Sequence, residues 1–270
     1  MLHDTPNIGS KKFYDAATEI IKIINCKLKN TLSVNNQKLV ISISGESGCG
    51  KSTIAHQLSK RIMHDFRKIK NDISVKHLYV DNFYTENNKM ISLLKREDRI
   101  IARNYAGIGP DEYDWSMIDN VLYCFANGFI CRMPCVDLLN QEIDYLETNF
   151  LEVDILILDG LYAIDERLQA DFRFLVDGAY YQINNWEEER RKYVEKFDTI
   201  EGLYDYAREI TSKTTYNSYQ DIRGKEKLTE ARVIRLEKEH KALLRMTSSI
   251  KNKNIDFLTL KYNKDSWKIL

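Results

Sequence analysis

Gly45-Glu46-Ser47-Gly48-Cys49-Gly50-Lys51-Ser52-Thr53 follows the apolar run Leu39-Val40-Ile41-Ser42-Ile43, which reads as a buried strand. It precedes Ile54-Ala55-His56-Gln57-Leu58-Ser59-Lys60-Arg61-Ile62, which has the spacing of an amphipathic helix. Strand, G-x-x-x-x-G-K-S, helix is the context in which a glycine-rich loop acts as a phosphate cradle. Glycines let the backbone wrap so that successive N–H groups point at phosphate oxygens. The helix N-terminus adds unpaired N–H groups and a dipole that favours anions. All nine residues from Gly45 to Thr53 are therefore expected to bind a nucleoside triphosphate. Lys51 would reach the β- and γ-phosphates, and the Ser52 hydroxyl would hold Mg²⁺.

Working outward, Phe13, Ala16, Ala17, Ile20, Ile21, Ile24 and Leu28 recur at helical spacing and predict a helix over 11–29. Val75 to Val80 and Val153 to Leu158 read as further core strands, Phe172 to Val176 as another, and Ile255 to Lys261 as the last. Asp114-Trp115-Ser116 caps a helix that Asn127-Gly128 ends. Short strands from Phe129 to Met133 and from Ile143 to Leu146 predict a small hairpin outside the main sheet. Helices are expected over Lys89–Arg103, from Asn185, over 201–213 and over 227–246. Strands alternating with helices imply an α/β fold of the P-loop NTPase type, a mostly parallel sheet with helices on both faces. One domain is expected over 1–270, with an N-terminal helical extension (1–37), a core (38–177), a helical lid region (178–250) and a final strand and tail (251–270).

Ligands of open parallel sheets sit beyond the carboxyl ends of the strands. Three strands end there in functional residue types: the phosphate loop, Asp81 and Asp159. Asp159 ends an apolar run and reads as the carboxylate that orders Mg²⁺, or else as a cap for the segment after Gly160. Asp81 reads as a general base for an acceptor hydroxyl, or as the closure of an Asx turn. Phe83 and Tyr84 either wall an acceptor pocket or fill core.

These residues resemble the uridine kinase and phosphoribulokinase group of P-loop kinases. Ser44 to Thr53 looks like its phosphate loop. Tyr79-Val80-Asp81-Asn82-Phe83-Tyr84 is similar to its strand ending in D-x-F-Y, whose aspartate is the family's base. Pro110-Asp111-Glu112-Tyr113-Asp114-Trp115 resembles its P-D-A-F-D segment. Leu156-Ile157-Leu158-Asp159-Gly160-Leu161 resembles its E-G-[IL] strand end, with aspartate where glutamate is more usual.

The order and spacing fit from about residue 38 to 177. The family closes an arginine-rich lid over ATP. Gln220-Asp221-Ile222-Arg223-Gly224-Lys225-Glu226 resembles that element in a bacterial uridine kinase-like branch. The resemblance makes Arg223 the lid arginine, supported by Lys225, with Arg208 and Arg232 as competitors. It implies an ATP- and Mg²⁺-dependent kinase acting on a small-molecule hydroxyl. Asp81, Lys51 and Arg223 would be catalytic, and Asp81, Phe83, Tyr84 and Asp137 would lie on the acceptor side.

The acceptor side departs from true uridine kinases. Ile108-Gly109 stands where they place a ribose-gripping aspartate, Val136-Asp137 replaces their tyrosine-aspartate pair, and Gln141 falls near their histidine. An isoleucine cannot bind sugar hydroxyls, so a nucleoside, a sugar and a sugar phosphate all stay open as acceptors. Arg96, Arg99 and Arg103 either bind an anionic acceptor or line a solvated helix face.

Forty basic against forty acidic residues give no net charge, and hence no reason to expect nucleic acid or an anionic membrane as partner. The N-terminal residues lack the pattern of a secretory leader, and no apolar run of about 18 residues is present. The five cysteines are sparse and odd in number, as expected for reduced thiols in the cytoplasm. Cys131 and Cys135 lack the second pair or histidine that a zinc site needs, and Cys49 is either oxidation-sensitive or just a small side chain.

The alternative reading is a nucleotide-driven regulatory ATPase or switch that binds a protein partner, using its helical segments for that partner or for a homo-oligomer. Asn263-Lys264-Asp265 matches a guanine-reading N-K-x-D motif only superficially, being one residue short. A non-catalytic descendant of the fold is opposed by the presence of Lys51, Ser52, Asp81 and Asp159 together.

Overall fold

A computed structural model describes residues 10–34, 37–46, 49–83, 109–137, 142–177, 241–263 and 266–270. Helix α1 (Ser10–Ser33) leads into β1 (Leu39–Gly45), α2 (Lys51–Asp65) and β2 (Val75–Tyr79). A 3₁₀ turn (Val80–Phe83) and a second one (Pro110–Glu112) precede α3 (Trp115–Asn127). Then come β3 (Ile130–Asp137), β4 (Glu142–Asn149), β5 (Ile155–Gly160), β6 (Phe172–Asp177), β7 (Leu258–Asn263) and β8 (Ser266–Ile269). Residues 241–252 are helical.

The six strands of the main sheet lie in the order β2-β5-β1-β6-β7-β8, parallel except for β8, which runs antiparallel to β7. The phosphate-loop strand β1 is thus central, between β5 and β6. Its residues and those of β5 are nearly all buried, as strands covered on both faces must be. Because side chains alternate across a strand, Ile155 and Ile157 join the layer of α1 and α2, while Leu156 and Leu158 join the layer of α3. Leu243 and Ile250, from the helical stretch 241–252, belong to the α3 layer. This is the α/β fold of P-loop NTPases.

Helix α1 runs slightly beyond the predicted 11–29, and its apolar face is built into the α2 layer through Phe13, Ile20, Ile24 and Leu28. Arg61 of α2 ties the two helices together by donating to Thr18 Oγ1 and stacking 4.4 Å from the Tyr14 ring. In α3 the Asp114 carboxylate accepts from the Met117 N–H at 2.9 Å, as the capping pattern predicts. Gly128, at φ 69°, ends the helix with Phe129 N–H bonded to the Cys124 carbonyl.

Two boundaries differ from expectation. The last parallel strand starts at Leu258 and not at Ile255. Asn254 (φ 55°) and the Ile255 N–H, bonded to the Ile250 carbonyl, are used to close the preceding helix. The supposed tail contains β8, whose Trp267 is buried against Tyr262 and Phe13. The hairpin β3–β4 stands apart from the main sheet as expected, with longer strands; Pro134 is tolerated because the pair has only edges. No described helix is long and apolar enough to cross a membrane. The helices expected over Lys89–Arg103, from Asn185 and over 201–213 lie outside the described residues, as does 227–240.

Candidate active site at the strand ends

The phosphate loop begins where β1 runs out between two neighbours: Ser44 is level with Gly160 of β5, and Gly45 with Val176 of β6. A side chain at Gly45 would sit 2.7 Å from Cys49 Sγ and 2.8 Å from the Val176 carbonyl, so the chain can turn here only without one. Gly50 has φ 89°, and a Cβ there would overlap the Phe13 ring of α1. The loop closes with the Cys49 N–H on the Glu46 carbonyl at 3.2 Å, and α2 opens with the Ile54 N–H on the Gly50 carbonyl at 2.9 Å. Lys51 Nζ lies 3.5 Å from the Glu46 carbonyl, folded back over the loop. Ser52 is exposed and Thr53 half-buried at the first turn of α2. Ser47 and Gly48 lie outside the described residues.

Burial pushes the Cys49 thiol up to about 11, against the pull of the Lys51 charge. It is wholly buried, so this cysteine is a small packing group and not a reactive thiolate.

Asp159 closes β5 with its side chain 1% exposed. One carboxylate oxygen, Oδ2, meets His77 Nε2 at 3.2 Å; the other, Oδ1, is buried with no hydrogen-bond partner. No cap for the following segment forms at Oδ1. An orphaned buried carboxylate oxygen at a strand end fits a cation, and Mg²⁺ needs only one or two carboxylates when phosphates supply other oxygens. Among the described residues no group of three His, Cys, Asp or Glu could hold a metal unaided.

Asp81 sits in the 3₁₀ turn that follows β2. A Cβ on Gly160 would lie 2.7 Å from Val80 Cβ and 3.2 Å from Asp81 Oδ1, so the missing side chain is what lets this turn approach the end of β5. The Tyr113 hydroxyl donates to Asp81 Oδ1 at 2.8 Å. Tyr113 is itself fixed edge-on to Tyr162, and the Asp114 N–H is held by the Phe83 carbonyl at 2.7 Å. The structure thus brings Asp81, Asp159 and the phosphate loop to one edge of the sheet.

For Phe83 the structure favours the core-filling alternative. This residue is 0% exposed in the α3 layer and fills core, leaving no surface for an acceptor. Asp137 is the last residue of β3, level with Glu142 of β4. Tyr84, Arg96, Arg99, Arg103, Gln141, Arg208, Arg223, Lys225 and Arg232 lie outside the described residues, as do Lys264 and Asp265.

A sequence profile of the phosphoribulokinase / uridine kinase family matches residues 40–181. The chain belongs to this family. Uridine-cytidine kinase B of Dictyostelium discoideum is 24% identical to it over 151 residues, 55% of this chain and 56% of that protein. The uridine kinase of Ureaplasma parvum is 30% identical over 127 residues, 47% and 54% of the two chains. The pantothenate kinase of Lactococcus lactis is 27% identical over 184 residues, 64% and 54%. The chain spans about half the length of the curated relatives it matches. The solved structure of the YGR205w protein aligns with a TM-score of 0.53 and 14% identity, covering 94% of this chain and 97% of that one, a likeness of fold.

Two residues of this family member escape motif reading. His77 lies inside β2, and its signal is a polar ring at an alternating apolar position. The level pairing of Tyr79 with Asp159 puts His77 on Asp159's side of the sheet. Tyr113 occupies the place where the P-D-A-F-D pattern has phenylalanine, and the extra hydroxyl is its signal.

Proposed function

We propose that this chain is an ATP- and Mg²⁺-dependent kinase that transfers the γ-phosphoryl group to a hydroxyl of a small metabolite. The supporting observation is the convergence of the phosphate loop, the half-satisfied Asp159 and the Tyr113-held Asp81 at one sheet edge. Family membership and relatives named as uridine, uridine-cytidine and pantothenate kinases support the same reading.

Backbone N–H groups of the loop and the N-terminus of α2 bind the triphosphate, and Lys51 meets its terminal phosphates. Ser52 and Asp159 would hold Mg²⁺, which neutralises phosphate charge when bound. Asp81 accepts the acceptor hydroxyl's proton as that oxygen bonds to the γ-phosphorus and the bond to the bridging oxygen breaks. Arg223 of the lid region would add positive charge to the transferring group. Most of the rate gain then comes from alignment and fixed charge. Ile108-Gly109 disfavours the ribose grip of true uridine kinases, so a sugar or sugar phosphate stands beside a nucleoside as acceptor, handled in a single cytoplasmic domain.

ADP release from Mg-ATP, measured across nucleosides, sugars, sugar phosphates and small hydroxy acids, tests this. One compound should stimulate strongly, and Asp81→Asn should abolish the stimulation. Acceptor-independent hydrolysis that survives Asp81→Asn would favour a regulatory ATPase instead.

A further inference from the structure

The unusual part of this site is how the Asp159 carboxylate is held. An aspartate's terminal torsion is broad and nearly two-fold, so its oxygens have no intrinsic direction. Aspartate is also one methylene shorter than glutamate, which keeps its carboxyl group near the β5 backbone. At 1% exposure, bulk solvent does little to orient it. His77 Nε2 lies 3.2 Å from Oδ2. A carboxylate only accepts, so Nε2 carries the proton in this pair.

His77 is fixed in turn. It sits in β2 level with Ile157 of β5, its ring is 4.3 Å from that of Tyr79, and its side chain is 15% exposed. Tyr79 is pushed up to about 12, by burial first and by the Asp159 charge second, and stays neutral beside the pair. The Asp159 charge also helps, in a minor way, to raise the buried Cys49 thiol. Asp159 thus has one oxygen tied to His77 and the other without a hydrogen-bond partner.

We propose that His77 is a positioning residue for the divalent cation: its Nε2–H anchors Asp159 Oδ2 so that the unpartnered Oδ1 is the oxygen presented to the metal. This rests on the reading of Asp159 as the metal-side carboxylate. Groups that orient a metal's carboxylate typically change metal affinity by about 10–100-fold when removed.

The test is an electron paramagnetic resonance titration of Mn²⁺ into the full chain with ADP, beside ADP binding in EDTA and thermal melts. Glutamine can place its amide nitrogen where His77 Nε2 lies, whereas asparagine is too short to reach. His77→Asn should weaken Mn²⁺ about tenfold or more, and His77→Gln should stay within about threefold of the parent. ADP affinity in EDTA should remain within about twofold in both.

Asp159→Asn separates the two ideas. If Asp159→Asn loses Mn²⁺ while His77→Asn binds it like the parent, the positioning role is overturned and the carboxylate reading stands. A folded His77→Gln that loses Mn²⁺ as severely as His77→Asn also overturns the role, since a donor at that place would then not suffice. If Asp159→Asn binds Mn²⁺ like the parent, the carboxylate reading fails and takes the role of His77 with it.

Discussion

Tyr113 adds one hydroxyl to a ring that the fold already needs, and the two contributions can be separated. The ring is 3% exposed and wedged against Tyr162 and Trp115, while the hydroxyl holds Asp81 Oδ1 at 2.8 Å. Hydrogen bonds to charged groups contribute about 1.5–3 kcal/mol, which at an oriented base corresponds to about a tenfold rate change or more. Tyr113→Phe is therefore expected to lower kcat about tenfold, with the KM for ATP within about twofold and the melting temperature lower by several degrees. Steady-state kinetics on the stimulating acceptor checks this; an unchanged kcat would leave the Tyr113 hydroxyl without a role in orienting Asp81. The thiols offer a second residue-scale check. Cys26 is exposed, whereas Cys49, Cys124 and Cys131 are buried, with Cys49 held near 11 and Cys131 near 12 chiefly by burial. At pH 8 a thiol reagent should modify Cys26 fast and these three only as the protein unfolds. Rapid modification of Cys49 in the native chain, followed by peptide mapping, would contradict its packing role.

Contact between α1 and the phosphate loop is the least expected element-scale feature, because the periodicity of 11–29 shows an apolar face but not what it covers. Phe13 lies against Gly50, where the backbone is left-handed and a Cβ has no room. Gly50→Ala should thus destabilise the chain by at least about 1–2 kcal/mol, through the positive φ alone, and displace α1 as well. Adding Phe13→Ala should relieve the overlap but not the backbone strain, so nucleotide affinity would recover only in part; full recovery by calorimetry would show that sterics alone fix this glycine. The core strands were legible because strands buried on both faces are continuous apolar runs, as in Ile155-Leu156-Ile157-Leu158. Strand β8 was not, since four residues with a single buried Trp267 carry too little pattern. Asp81 and Asp159 were legible because each ends a strand at the sheet's binding edge. His77 was not, because its partner is a neighbour across strands and no spacing along the chain encodes that pairing.

At the scale of the whole molecule, the groups buried around the sheet set how stability depends on alkaline pH. Cys49 is raised from 9.0 to about 11, Cys131 from 9.0 to about 12 and Tyr79 from 10.0 to about 12, each mainly by burial. In every case the folded chain keeps a proton that the unfolded chain releases. Stability is then fully present below about pH 9, and falls as pH rises through the windows 9–11, 9–12 and 10–12. Lys38 has the opposite sign. Its ammonium donates to the carbonyls of Phe150, Leu151 and Val153, and burial lowers it from 10.5. The folded chain sheds that proton first, so Lys38 offsets part of the fall as pH approaches 10.5. Three groups against one leave a net decline, with Cys49 and Cys131 acting first because their unfolded reference is the lowest. Urea midpoints at pH 8, 9, 10 and 11 should therefore be level between the first two and drop through the last two. Cys49→Ala should give a shallower drop, because its contribution to the proton difference is gone, whereas Cys26→Ala, at an exposed position, should leave the profile as it is. A midpoint that stays constant to pH 11, or a Cys49→Ala profile parallel to the parent's, would mean that the loop cysteine is not shielded from solvent in the folded chain.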